Sequence, residues 1–303
     1  MNRPRLIVIV GPTASGKSRL ALALARQLNG EILSVDSMQV YRGMDIGTSK
    51  PSLEDRCLVP HHGIDLVDPQ VEFTVAMYRQ YAAVTLQAIA ARGRTPILVG
   101  GTGLYVRAVL DGLCSAPPGD PAIRRALAAK PPEVLHAQLQ QIDPASAQRI
   151  HPHDLRRIIR ALEVYQQSGR PLSAWQQDTQ GLAAAWSVEV FGLDWPRETL
   201  YRRIDERVTR MWQQGLVDEA RQVYEDGVGR TAAQALGYKT LFSVFSGDHP
   251  LDQAADAIRL ETRQYARRQL TWFRRDGRIR WVPVETPETL EHLPERILAS
   301  LHA

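Results

Sequence analysis

The aliphatic run Leu6-Ile7-Val8-Ile9-Val10 leads directly into Gly11-Pro12-Thr13-Ala14-Ser15-Gly16-Lys17-Ser18, and leucines at 20, 22, 24 and 28 follow. Strand, glycine loop and helix in that order are the setting in which G-x-x-x-x-G-K-S binds phosphate. Gly11 and Gly16 let the backbone curl, so that successive N–H groups converge on one concavity. The positive end of the following helix adds to the pull on an anion. Lys17 supplies a mobile full charge, and the Ser18 hydroxyl is placed to ligate Mg²⁺ on a bound diphosphate or triphosphate, directly or through water. The expected ligand of this loop, residues 11–18, is therefore a diphosphate or polyphosphate. The loop alone does not say which.

A length of 303 residues predicts two domains, or one domain carrying an insertion. With 44% hydrophobic and 23% charged residues the composition suits a globular protein with a full core. No apolar run is long enough to span a membrane, and the strand that starts within a few residues of Met1 is too short for a signal peptide, so a cytoplasmic location is expected. Cys57 and Cys114 lack metal or disulfide spacing, and the pair His61-His62 reads as loop or core. The net charge of +4 matters less than its distribution. Arginines gather at 156, 157 and 160, again between 197 and 210, and again between 259 and 280. Solvated helix faces often look like this, but three such groups beside a phosphate loop make nucleic acid a serious partner.

Further along, Glu31–Val35 reads as a short strand with Asp36-Ser37 at its carboxyl end. In an open parallel sheet that end faces the same crevice as the phosphate loop, which puts Asp36 opposite whatever the phosphate carrier reacts with; its competing task is to cap the next turn. Residues 43–70 are rich in glycine and proline and read as loop with short helical pieces. A helix is predicted over 73–91, then a buried strand Pro96–Val99 that runs into Gly100-Gly101-Thr102-Gly103, and a helix over 104–110. The glycines permit close backbone approach to a ligand, and the Thr102 hydroxyl is a hydrogen-bonding candidate beside it. Composition shifts at Cys114–Pro121. From there to residue 186 no strand pattern appears, and Leu155, Ile158, Ile159, Leu162 and Tyr165 keep helical spacing. Residues 115–186 are thus predicted to be a helical insertion in a core formed by 1–114 and 187–303. The strand pattern resumes at Ser187–Leu193. Long helices follow over 197–224, broken at Gly215, and over 254–273, with a last strand at 279–284. Arg259, Arg263 and Arg267, four residues apart, form a stripe suited to tracking phosphates.

Two chemical classes compete. A small-molecule or nucleotide kinase has a phosphate loop, an acceptor-side carboxylate and an arginine-rich lid. A nucleic-acid ATPase wants an acid at the end of a buried strand to hold Mg²⁺, whereas Pro96–Val99 ends in Gly-Gly-Thr-Gly. That absence leaves transferases ahead.

The ordered blocks Gly11–Ser18, Asp36-Ser37-Met38-Gln39-Val40-Tyr41, Gly47-Thr48-Ser49-Lys50-Pro51, His61-His62 with Asp65 and Asp68-Pro69, and Leu98–Tyr105 continue with Arg157-x-x-Arg160-Ala161-Leu162-Glu163-Val164, Gly237-Tyr238-Lys239 and Thr262–Arg274. Together they resemble the bacterial tRNA dimethylallyltransferase (tRNA isopentenyltransferase) family from residue 6 to about residue 275. The resemblance implies an α/β fold: a P-loop NTPase-like parallel sheet flanked by helices, with a helical insertion domain. It implies transfer of a dimethylallyl group from its diphosphate to N6 of the adenosine 3′-adjacent to the anticodon, in tRNAs reading codons that begin with U. Transfer to free adenylate, as in related dimethylallyltransferases, is the nearest alternative.

On this resemblance Asp36 is the general base, and Lys17, Thr102 and Arg207 complete the catalytic set. The N–H groups of Thr13–Ser18 bind the diphosphate, helped by Arg203 and Arg207, with Mg²⁺ on Ser18. The extruded base is held by Met38, Gln39 and Tyr41, with Asp36, Ser37 and Thr102 near it. Arg124, Arg156, Arg157, Arg160, Gln234, Gly237, Tyr238, Lys239, Arg263 and Arg267 contact tRNA, and the insertion acts as a clamp. The expected partners are thus a tRNA anticodon stem-loop and dimethylallyl diphosphate, with no membrane and a monomeric enzyme.

Overall fold

The computed structural model describes residues 3–179 and 181–302, and the chain divides into two compact units, residues 1–109 with 185–303, and 110–184. In the first unit, β1 (Arg5–Val10) leads to α1 (Lys17–Gln27), β2 (Gly30–Ser34), α2 (Leu53–Leu58), β3 (His61–His62), α3 (Val75–Ala91), β4 (Thr95–Gly100) and α4 (Gly103–Leu110). The second unit holds α5 (Pro121–Ala128), α6 (Pro132–Ile142), α7 (Pro144–Arg149), α8 (Leu155–Ser168) and α9 (Leu172–Gln177). The first unit then resumes with β5 (Ser187–Asp194), α10 (Arg197–Gln213), α11 (Leu216–Glu225), α12 (Tyr238–Phe245), α13 (Leu251–Phe273), β6 (Ile279–Pro283), α14 (Pro287–Glu291) and α15 (Leu293–His302).

The strands form one six-stranded sheet in the order β3-β2-β4-β1-β5-β6, with every pairing parallel. Parallel strands covered on both faces should read as continuous aliphatic runs. Leu6 through Val10 are indeed all buried, and Ile7 is in register with Ile97 on one side and Glu189 on the other. On one face, Ile7, Ile9, Ile97, Val99, Phe191 and Leu193 pack with Leu20 and Leu24 of α1, Ile204 of α10 and Leu290, Leu293 and Ile297 of the last two helices. The core takes its shape from this order. Because β4 lies between β1 and β2, the loops after β1, β2 and β4 emerge side by side at the carboxyl edge.

α14 and α15 lie beyond the last element predicted from sequence. Their signals are Thr286 capping Pro287 at the first helical position, and Leu290, Leu293, Ile297 and Leu301 at core spacing. α7 and α9 are one to two turns each, too short to show a period.

In the 110–184 unit, Leu127, Leu135, Leu139, Ile158, Leu162 and Leu172 build a separate core. At its edge Glu163 is wholly buried; it accepts from the Asp120 N–H at 2.6 Å, from Arg124 Nε at 2.8 Å and from Arg160 Nη1 at 2.7 Å. Burial acts to raise this carboxyl, but the arginine hydrogen bonds outweigh it and hold the group below its ordinary value.

Candidate active site

The phosphate loop follows β1. Gly11 and Gly16 have φ of +144° and +91°, and Ala14, without a glycine's freedom, also sits at +62°. The loop's outer wall is fixed from β5 and α10. Trp195 Nε1 donates to Ser15 O at 2.8 Å, Arg203 Nε donates to Ala14 O at 2.9 Å, and the Arg203 guanidinium lies 4.4 Å from the centre of the Trp195 ring. Among the described residues, buried Ser15 Oγ has no hydrogen-bond partner, and Lys17 Nζ donates to Pro12 O at 2.6 Å. A buried hydroxyl and an ammonium on a glycine loop at a helix N-terminus are donors suited to an anion.

The loop does not offer every N–H to a ligand. Thr13 N donates to Gln269 Oε1 at 2.8 Å, which corrects the expectation that the diphosphate N–H set starts at Thr13. Of the following N–H groups, Ser15 N makes a long bond inside the loop, to Pro12 O at 3.4 Å.

Across the cleft stands Asp36. Its Oδ1 accepts from Met38 N at 2.8 Å and from Gln39 N at 3.3 Å, so the capping role is real. Among the described residues Oδ2 accepts no hydrogen bond. One carboxylate therefore both closes the turn and keeps an oxygen for other work. Thr102 Oγ1 accepts from Ser37 N at 3.2 Å and so ties the turn after β4 to the turn after β2. Gly100 permits this closeness, because a Cβ there would lie 2.3 Å from Val35 O.

α10 presents Arg203, Arg207 and Arg210 to the cleft at helical spacing. These residues, the loop from Thr13 to Ser18, Asp36, Gln39, Gly100, Gly101, Tyr265 and Gln269 enclose about 560 Å³. Burial draws the Arg207 guanidinium down to about 10, opposed by the charge of Asp36. Burial likewise draws Lys17 down to about 7; Arg207 adds to this and Asp36 opposes it. The site thus gathers Lys17, Arg203, Arg207 and Arg210 with the carboxylates Asp36, Asp55 and Glu206, and Asp36 is the one whose charge acts on both Lys17 and Arg207. An apolar recess formed by Val208, Met211, Leu216, Leu236 and Ile258 opens beside Thr13 and Arg207.

Several other expectations are corrected. Tyr41 is fully buried and belongs to the core, so it cannot hold a base. Gln39 is occupied: it accepts from Ser34 Oγ at 2.7 Å and donates to Thr48 O at 3.0 Å and Ser49 O at 3.1 Å. Tyr238 is fully buried and donates to Glu219, whose carboxylate also takes the N–H groups of Asp45, Ile46 and Gly47. It therefore braces the 44–50 loop from behind and has no surface to offer RNA. Gly237, at φ +83°, opens α12 and is buried, whereas Gln234 and Lys239 are exposed.

The arginine stripe of α13 is divided. Arg263 pairs with Asp205, and Arg259 pairs with Asp256 and reaches Thr209 at 3.1 Å, so both are turned to neighbouring carboxylates and α10. Arg267 is exposed and holds no ion pair among the described residues. Arg124 and Arg160 surround Glu163, Arg157 pairs with Asp154 at 3.3 Å, and Arg156 carries no ion pair among the described residues. Met38 and Ser37 are half-buried.

Gln269, Tyr265, Glu219 and Lys50 draw no role from the sequence. Lys50 is almost fully enclosed and donates to Tyr41 O, Asp45 and Asp65. The available signal was a glutamine on the α13 stripe that also carries Ala254, Ile258, Ala266 and Phe273.

A glycine loop of phosphate-binding pattern, a carboxylate with one oxygen unbonded among the described residues and no acid at the end of β4 fit a P-loop group-transfer enzyme. The sequence pattern of the IPP transferase family matches residues 39–276, and that described as isopentenyl transferase matches residues 4–57. The chain belongs to the IPP transferase family. It is 47% identical to the tRNA dimethylallyltransferase of Geobacter metallireducens, covering 99% of this chain and 98% of that one, and 48% identical to that of Geobacillus kaustophilus, covering 91% and 90%. Among solved structures, it is similar to the tRNA isopentenylpyrophosphate transferase of Bacillus halodurans with a TM-score of 0.73, at 39% identity, covering 99% of this chain and 97% of that one. A eukaryotic dimethylallyltransferase acting on tRNA superposes with a TM-score of 0.82 at 28% identity, covering 98% and 77%. The resemblance drawn from the motifs, the α/β class and the parallel sheet are all borne out.

Proposed function

We propose that this chain transfers the dimethylallyl group of dimethylallyl diphosphate to N6 of the adenosine 3′-adjacent to the anticodon of tRNA. The relatives' names support the reaction. What supports the assignment of parts is Asp36, held by Oδ1 with Oδ2 free, across the cleft from the cationic loop.

An exocyclic adenine amine is a weak nucleophile, so the reaction needs a proton acceptor, a stabilised leaving group and close placement. The C1–O bond of the donor breaks, its electron pair leaves with diphosphate, and the N6–C1 bond forms. The N6 proton passes to Asp36 Oδ2. The N–H groups of Ala14–Ser18, the freed Ser15 hydroxyl, Lys17, Arg203 and Arg207 receive the charge of the departing diphosphate. The apolar recess beside Arg207 is chemically suited to the hydrocarbon tail. Thr102, anchored on Ser37 N–H, lies beside the reacting groups, and the target base enters extruded from its stack.

Ser18 is exposed at the cleft, and its hydroxyl has no hydrogen-bond partner among the described residues, which fits a hard cation such as Mg²⁺ that would be held by Ser18, substrate oxygens and water. When bound, Mg²⁺ would neutralise diphosphate charge. The tRNA backbone is contacted by Arg156, Arg157, Arg267 and Lys239, with Gln234 beside them, while Arg124, Arg160 and Arg263 act mainly through the ion pairs they hold.

The test is incubation with labelled dimethylallyl diphosphate, Mg²⁺ and unmodified tRNA, without ATP. Label on the tRNA is expected. Label on free adenylate alone, or ATP-dependent phosphorylation of a small acceptor with no label on tRNA, would overturn the reading.

A further inference from the structure

α13 inserts two polar side chains, Tyr265 and Gln269, one turn apart, where the loops after β1, β2 and β4 converge. Gln269 is 6% exposed, and both ends of its amide are in use. Oε1 accepts from Thr13 N at 2.8 Å, and Nε2 donates to Gly101 O at 3.0 Å. One carboxamide thus bridges the phosphate loop to the turn that carries Thr102. A primary amide supplies a donor and an acceptor on separate atoms at this reach, whereas a carboxylate lacks the donor, and lysine and arginine lack the acceptor. The fit is close, since a Cβ on Gly101 would lie 2.1 Å from Nε2.

Tyr265 stands beside the link. Its phenol lines the same cleft, close enough to Thr102, Gln269 and Asp36 to feel all three. Burial first, then the charge of Asp36, pushes that phenol up to about 12, so it remains protonated across the working range. Thr102 Oγ1 in turn takes the N–H of Ser37, the residue after Asp36. Through Gln269, the Gly100–Gly103 turn and Thr102, the donor side of the cleft is thus joined to the acceptor side at Ser37.

A buried amide is not required for packing, because an aliphatic side chain of similar volume would fill the same space without the cost of desolvating polar atoms. What the amide adds is a fixed separation between the two loops. We infer that Gln269 is a positioning residue for prenyl transfer: by holding Thr13 and Gly101 together it sets the distance from the diphosphate cradle to the Thr102–Asp36 pair. The inference rests on the transfer reading of this site. The reacting carbon and nitrogen must meet at about 3–3.5 Å, and an error of about 1 Å in such placement costs on the order of 100-fold in rate.

The experiment compares wild type, Gln269→Leu and Gln269→Glu in single-turnover transfer at saturating dimethylallyl diphosphate and tRNA, with dissociation constants for both substrates and thermal melting. Wild-type labelling is the control: its failure would remove the functional reading, whereas normal wild-type transfer isolates the positioning question. For Gln269→Leu the expected result is a rate lowered about 100-fold, with both dissociation constants within about threefold of wild type and a folded protein at 25 °C. Gln269→Glu keeps the acceptor for Thr13 N–H and loses the donor to Gly101 O. It should transfer at least about tenfold more slowly with unchanged diphosphate affinity, and it decides the matter if the leucine variant does not fold. A rate within about threefold of wild type in the folded variants overturns the inference. So does a loss that appears only as weaker substrate binding.

Discussion

The double use of the Asp36 carboxylate gives a test that separates its two roles. Oδ1 holds the turn by accepting from Met38 and Gln39, while Asp36 lines the cleft and its Oδ2 accepts no hydrogen bond among the described residues. Asp36→Asn retains an oxygen that can accept from both N–H groups but removes the basic site and the charge. Asp36→Ala removes everything. If Oδ2 takes the N6 proton, the asparagine variant loses the contribution of a general base, about 10²–10⁴-fold in rate or about 3–5 kcal/mol of barrier. The alanine variant should be slowed by at least as much, and should also lose about 0.5–2 kcal/mol of stability as a missing cap. The charge has a side effect that fixes the conditions. Asp36 opposes the lowering of Lys17, which burial has brought to about 7, so without it the lysine titrates lower still. At pH 6 or below the ammonium survives better in both proteins, and the comparison belongs there. The assay is single-turnover transfer of labelled dimethylallyl groups at saturating substrates, beside a melting curve for each variant and a diphosphate titration. Expected is an asparagine variant with wild-type melting, diphosphate affinity within about threefold or tighter, and transfer slower by at least about 100-fold. Near-normal transfer in the asparagine variant, with the defect confined to alanine, would reduce Asp36 to a cap and refute the reasoning.

Other predictions follow from the charge and contact pattern. Because Lys17 is held near 7, diphosphate affinity of wild type should weaken by up to about tenfold per pH unit above that value, and Lys17→Met should bind weakly with a flatter profile. The same group sets a stability slope: its folded value lies below its unfolded value of about 10.4, so the unfolded chain binds more protons between these limits and the ligand-free fold gains stability as pH rises through that window, an effect Lys17→Met should remove in denaturation measured against pH. Arg160→Ala should cost about 1–3 kcal/mol by loosening the hold on buried Glu163 while leaving the salt slope of tRNA binding nearly unchanged, whereas Arg156→Ala should lower that slope by about one with little effect on melting. Tyr238→Phe should cost about 1 kcal/mol by removing a donor to Glu219, and normal stability would mean the 44–50 loop does not depend on that brace.

Much of the chemistry was legible because it is local. Gly11–Ser18 and Gly100–Gly103 specify their own turns through glycine φ freedom and close approach, and the aliphatic runs of β1 and β4 can only be buried strands. Helix periods told where α3, α8, α10 and α13 lie within a few residues. Short elements such as α7, α9 and β3 escaped, since one or two turns, or two residues, carry no period.

What a local pattern could not fix was the direction of each side chain. A stripe of arginines has the same sequence spacing whether it faces RNA or a neighbouring helix; only the packing of α10 against α13 brought Asp205 to Arg263 and took that residue out of the free surface. Tyr41 and Tyr238 stand in motifs that read as ligand-facing, yet the core absorbed both. Gln269 shows the converse, a residue more than 250 positions from Thr13 that becomes its hydrogen-bond partner. The sequence by itself determined that this chain carries a phosphate cradle, a carboxylate at a strand end and a parallel sheet, because each depends on neighbours within a few residues. Which polar groups were left unpaired at the cleft was decided only by the tertiary fold, because a free oxygen on Asp36 or a lone hydroxyl on Ser15 is what remains after all distant partners have been assigned.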